Sequence, residues 1–80
     1  MNRYTYKFHS VCPVNKKKIS YKLVIETTYL LMVEELMAFL DKNHTESYHE
    51  DIADQVFEAF GGSQYLVANH HGVLIETWRK

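Results

Sequence analysis

The chain has a single cysteine, Cys12, a single proline, Pro13, and three glycines among its 80 residues. One thiol cannot build an internal disulfide scaffold, and without a Cys-x-x-Cys pair there is no zinc knuckle. Long apolar runs are missing too. The longest, Tyr29 to Val33, falls well short of the roughly 20 residues that a membrane-spanning helix needs. Met1-Asn2-Arg3-Tyr4 lacks the apolar stretch of a signal peptide, so a soluble cytoplasmic protein with no membrane partner is expected. No linker, repeat or low-complexity segment interrupts the chain, and residues 1–80 read as one domain. Hydrophobic residues at 46% and charged residues at 24% exclude a disordered chain, a collagen-like repeat and a multidomain enzyme. A chain this short buries only about 60% of the surface its unfolded form exposes, so its core is thin.

Acids are absent from the first quarter. Residues 1–25 hold six cations (Arg3, Lys7, Lys16, Lys17, Lys18 and Lys22), whereas residues 26–60 hold nine acids against Lys42 alone. The net charge of −1 is far from the basic balance of a nucleic-acid binder, so nucleic acid is not an expected partner. The asymmetry reads instead as a basic element packed beside an acidic one, within or between subunits.

Hydrophobic periodicity gives the elements. Tyr4 to Ser10 alternates aromatic with polar residues and predicts a half-buried strand. Cys12 to Lys18 breaks the pattern as a turn, and Ile19, Tyr21, Leu23 and Ile25 restore it on one face of a second strand. Thr27 and Thr28 offer N-cap oxygens to a helix over Tyr29–Leu40, apolar nearly all round except at Glu34 and Glu35. Met32, Met37 and Phe39 are expected in the core, and such a broad apolar surface points to self-association. After a polar connection from Asp41 to Glu46, Ser47-Tyr48-His49-Glu50 has capping-box spacing. The second helix carries Ile52, Ala53, Val56, Ala59 and Phe60 and stops at Gly61-Gly62. Tyr65–Ala68, a turn over Asn69–Gly72, and Val73–Trp78 complete the order ββααββ. The expected class is α+β, a four-stranded antiparallel sheet with a helix pair on one face. Its open edges call for pairing between subunits.

Few residues carry chemistry. Cys12 continues the parity of Tyr4, Tyr6 and Phe8 at a strand end, where a thiol can meet a ligand and nearby lysines favour thiolate. Its other reading is a small hydrophobe packed in the core. Glu50 serves either as the capping-box carboxylate or as an acceptor for the N–H edge of a purine- or pterin-like ring, and one oxygen cannot do both. His70 and His71, with Cys12, His44 and His49, invite a zinc reading. Adjacent histidines on an extended chain point to opposite faces, so no metal is expected. Lys16, Lys17 and Lys18 read as a solvated turn, and Glu34-Glu35 as the wet side of a helix.

Taken in order, these pieces resemble a known family. Ser10-Val11-Cys12-Pro13-Val14-Asn15 resembles the Cys-Pro-x-Thr segment of the 7-cyano-7-deazaguanine (nitrile) reductases of queuosine biosynthesis, a tRNA-modification pathway. Tyr48-His49-Glu50-Asp51 resembles their Phe-His-Glu-Asp, and Ile75-Glu76-Thr77-Trp78-Arg79 parallels their close. The resemblance implies the tunnelling fold (T-fold), in which ββααββ units join into homo-oligomeric barrels that bind purines or pterins at subunit interfaces. It implies that Cys12 adds to the substrate nitrile as a thioimide, that Glu50 anchors the heterocycle and that His49 lies near the reacting carbon. It also implies NADPH as reductant, or a transfer reaction through the same thioimide without it. Two departures stand out. The family's proton-donating Asp, seven residues after the Cys, is replaced by Ile19, and Val33–Met37 has no lysine where the family contacts NADPH phosphate. The alternative is a non-catalytic oligomeric module that keeps the ring pocket.

Overall fold

A computed structural model describes residues 1–43 and 47–80, with the side chains of 42 and 43 set aside. The strands are β1 (Asn2–Val11), β2 (Lys18–Thr27), β3 (Ser63–His70) and β4 (Val73–Arg79), and the helices are α1 (Val33–Asn43) and α2 (His49–Phe60). The strands form one antiparallel sheet in the order β1-β2-β3-β4, with the helix pair as the connection between its two central strands. This is the expected α+β class and ββααββ order.

Period-two patterning sorts each strand into two faces. Phe8, Ile19, Tyr21, Leu23, Ile25, Leu66 and Ala68 meet Leu36 and Leu40 of α1 and Ile52, Ala53 and Val56 of α2 in one core. Burying one such aliphatic side chain contributes about 1.5–3 kcal/mol. Tyr6 Oη donates to Asp41 Oδ2 at 2.9 Å, tying β1 to α1. The sign asymmetry of the sequence is met partly by arginines, Arg3 with Glu26 across β1–β2 and Arg79 of β4 with Glu50 and Asp54 of α2. Lys7, however, lies opposite Lys22 in register.

Four local expectations change. First, α1 begins at Val33, not Tyr29. The β2 pattern runs on through Thr27, whose hydroxyl donates to the Tyr29 carbonyl rather than capping a helix. Leu31 N–H then donates to Tyr4 Oη at 3.0 Å, so this backbone is satisfied without helix. Second, Met32 and Met37 are exposed while Phe39 packs edge-on against Phe60. Third, there is no capping box. Tyr48 is the N-cap residue of α2 with no side-chain cap bond. Fourth, β3 extends through His70, leaving a tight two-residue turn of His71 and Gly72, both at positive φ.

The C-terminus of α2 behaves as read. Gly61 caps it, and Gln64 Nε2 donates to Val56 O and Gly61 O at 3.2 and 2.7 Å. At Gly62 (φ +73°) a Cβ would stand 2.6 Å from the Glu26 carbonyl, so only glycine lets the chain re-enter the sheet this closely.

Candidate functional site

Both hairpin turns lie at one end of the sheet. There Asn15, from the β1–β2 turn, donates its amide to His71 Nε2 at 2.7 Å. Cys12 follows β1 directly, its N–H donating to Lys17 O at 2.9 Å and its carbonyl accepting from Lys16 N at 2.8 Å. Its side chain is 8% exposed and belongs to the core cluster. Lys16, Lys17 and Lys18 are exposed, as the turn reading expects.

Beneath the helices, an aromatic row leads inward from β1. Tyr6 stacks on Phe8, and Phe8 on Tyr21 at 5.2 Å between centroids. Tyr21 meets His49 at 5.6 Å and His70 at 6.0 Å, and the two imidazoles are 5.7 Å apart. Tyr21 Oη lies 3.4 Å from His70 Nε2. Burial, and then the nearby Cys12 thiolate charge, push the Tyr21 phenol up to about 12. Cys12 and Tyr21 are therefore within electrostatic reach of each other.

His49 opens α2 and is 4% exposed. Its Nε2 hydrogen-bonds Thr77 Oγ1 of β4 at 3.0 Å, and its Nδ1 has no hydrogen bond of good geometry. Burial is the main cause that lowers its pKa, and the charge of His70 adds to it. His70 is lowered too, by burial and then by His71. Ser10 Oγ, one pleat before Cys12 on the same face, is a second buried polar atom without a partner.

Glu50, the next residue after His49, turns the other way. Its side chain is 68% exposed, and Oε2 accepts from Arg79 Nη2 at 2.8 Å, while Arg79 Nε donates to Asp54 at 2.9 Å. Two of the three sequence candidates, Cys12 and His49, thus gather around Tyr21, and Glu50 lies outward beside the edge strand β4. Sequence reasoning missed Tyr21 and Thr77, and weighed His70 only as a metal ligand in a turn. Tyr21 carries the parity of a core residue, and the Asn-His-His-Gly string hides His70 in a turn. The readable signal was a histidine of correct strand parity at the end of β3.

Among the described residues no group of three His, Cys, Asp or Glu side chains is placed to hold a metal, and His44 lies outside them. Among the same residues no helix is long and apolar enough to cross a membrane. The sheet's other face carries a groove of about 380 Å³ bordered by Lys7, His9, Lys22, Val67 and Leu74.

No protein-family model matches the chain, and no curated protein sequence does. A solved structure does: the archaeosine synthase QueF-Like in its apo form, at a TM-score of 0.70 and 22% identity. The match covers 98% of this chain and 89% of that one. The fold is shared. At that identity the likeness speaks for the fold alone: the ββααββ architecture that the residue pattern led to and that the resemblance named as the T-fold.

Proposed function

We propose that this chain is a T-fold module, residues 1–80 forming one unit, that binds a purine- or pterin-like ring where two copies meet. The observation that carries this is the placement of the site residues on opposite sides of the sheet. Cys12 ends one edge strand, β1, and Glu50 stands beside the other, β4, through Arg79. A head-to-tail pairing of β4 with β1 of the next copy closes both open edges and, when the strands are offset along their length, brings Arg79 and Glu50 of one copy toward Cys12 of the other from the opposite end of the sheet. Glu50 is free of any capping duty, so in that cleft its carboxylate can accept two N–H groups from a heterocycle edge, with Arg79 fixing its orientation. The solved structure of like fold is that of an archaeosine synthase, and a purine-like ring is in keeping with that name.

NADPH does not fit this reading. Glu34 and Glu35 are exposed in the first turn of α1, which has no lysine there, and paired carboxylates repel a dinucleotide phosphate. Ile19, where the resembling family has its acid, is buried in the core. No reduction step is therefore routed through the site. A second reading, addition of the Cys12 thiol to a ring nitrile, is favoured by one observation: the thiol is within electrostatic range of the Tyr21 phenol, which borders two imidazoles.

Thermal-shift and calorimetric titration with guanine, neopterin and 7-cyano-7-deazaguanine test the binding. A ligand at 100 times its Kd stabilises the folded form by about 2.7 kcal/mol. Stabilisation by one of these rings, lost in Glu50→Gln, supports the module; no shift with any of them rejects it. Intact mass after incubation with the nitrile separates the second reading, which requires an adduct that Cys12→Ala abolishes.

A further inference from the structure

The helices cover one face of the sheet and leave the other open. On the open face the cross-strand register sets Lys7 opposite Lys22 and His9 opposite Ser20. Toward the other edge of the same face, Lys22 pairs with Val67, and Asn69 with Leu74. The groove they border holds about 380 Å³, within the range of small-molecule sites, and among the described residues no carboxylate lines it.

Like charges directly opposite on a sheet repel, and nothing in the chain offsets this pair. Among the described residues neither Lys7 nor Lys22 is in an ion pair. The acids of this face are engaged elsewhere. Glu26 holds Arg3 at 2.8 Å, and Glu76 accepts from the Tyr65 hydroxyl. Positive charge is therefore gathered over β1 and β2, while the half-buried Val67 and the exposed Leu74 make the β3–β4 side apolar.

We propose that this open face binds a small phosphate monoester with an apolar body, one per chain, its phosphate between Lys7 and Lys22 and its body against Val67 and Leu74. The site stands apart from the ring cleft and does not rest on that reading. Two ammonium groups match the charge of a phosphate monoester, about −1.5 to −2 at neutral pH, better than the single charge of a carboxylate. Neighbouring strands are about 4.8 Å apart, so the cationic and apolar halves are centred about 10 Å from each other. A phosphate joined to one ring through a short spacer bridges them, with the flexible lysine stems closing the remaining distance. Asn69 Oδ1 accepts from Gly72 N–H at 2.8 Å, which leaves the amide NH2 as a further donor to the ligand, beside the Ser20 hydroxyl. The unrelieved repulsion between the lysines is then a feature of the empty site, and a bound dianion removes it.

Calorimetric titration at neutral pH with benzyl phosphate, benzyl alcohol and inorganic phosphate tests this. Benzyl phosphate has no N–H edge for Glu50, so its binding reads this face alone. One benzyl phosphate is expected per chain, with inorganic phosphate about tenfold or more weaker and benzyl alcohol without measurable binding. Lys22→Glu relieves the repulsion and keeps the fold, yet weakens benzyl phosphate by about tenfold or more, the range of a lost charge-assisted hydrogen bond. Thermal melts confirm that this variant is folded, and Lys7→Gln, in the same direction, decides if it is not. Leu74→Ala weakens benzyl phosphate about fivefold through lost apolar contact and leaves inorganic phosphate unchanged. No binding of benzyl phosphate overturns the proposal, as does binding that the lysine variants leave unchanged. Inorganic phosphate bound as tightly as the ester, or a ten-nucleotide oligouridylate bound where the ester is not, overturns it too, by showing a plain anion or polyanion surface.

Discussion

His49 is a buried and His70 a half-buried imidazole, and the pKa values of both lie below the ordinary one, chiefly through burial. The unfolded chain therefore binds more protons than the folded one below about pH 6.5. Their contribution to stability is complete above that pH and is lost as pH falls toward the depressed folded values. Thermal melts are expected to drop between pH 7 and pH 5, with the slope reduced in His70→Gln. Thr77→Val removes the hydrogen bond to His49 Nε2, leaves a buried nitrogen unpaired, and is expected to cost about 1–3 kcal/mol in chemical denaturation. Arg79 behaves differently. Its partners Glu50 and Asp54 are largely exposed, so Arg79→Ala is expected to change stability by no more than about 1 kcal/mol while weakening ring binding through a loosened Glu50. At this scale the sequence was a partial guide. Cys12, His49 and Glu50 could be singled out by their neighbours along the chain. The capping-box spacing, though, describes a local bond, and Arg79, 29 residues away, takes the carboxylate instead.

Among the elements, legibility followed the strength of the period. The four strands were readable because the inward positions of β2 from Ile19 to Ile25 are all apolar, and Ile19, Tyr21, Leu23 and Ile25 are all buried. The start of α1 was not, since Tyr29 to Met32 has helix-like composition but its backbone partners are the Thr27 and Tyr4 hydroxyls, which no local pattern reveals. Gly62→Ala is expected to be strongly destabilising, by more than the roughly 1 kcal/mol of an ordinary positive-φ substitution, because its Cβ meets the Glu26 carbonyl. The cross-strand pair Lys7 and Lys22 sets like charges opposite each other on the sheet face away from the helices. Lys22→Glu is expected to raise the melting temperature by an amount equivalent to about 0.2–1 kcal/mol.

For the molecule as a whole, the unfinished surfaces matter most. β1 and β4 leave both sheet edges open, and Leu30, Met32, Val33 and Met37 leave an apolar strip on and before α1. The sequence signalled this through a first helical segment too apolar for one buried stripe, although part of that segment proved to be irregular chain. A thin core with two open edges gains most from closure by further copies, and the proposed function uses that closure to bring Cys12 and Glu50 toward one cleft. Native mass spectrometry of the chain with 7-cyano-7-deazaguanine reads assembly and ligand binding together. The account predicts ring molecules retained on an oligomer, none on any residual monomer, and none on Glu50→Gln. A monomer that holds the ring by itself, or one that neither assembles nor binds, contradicts it.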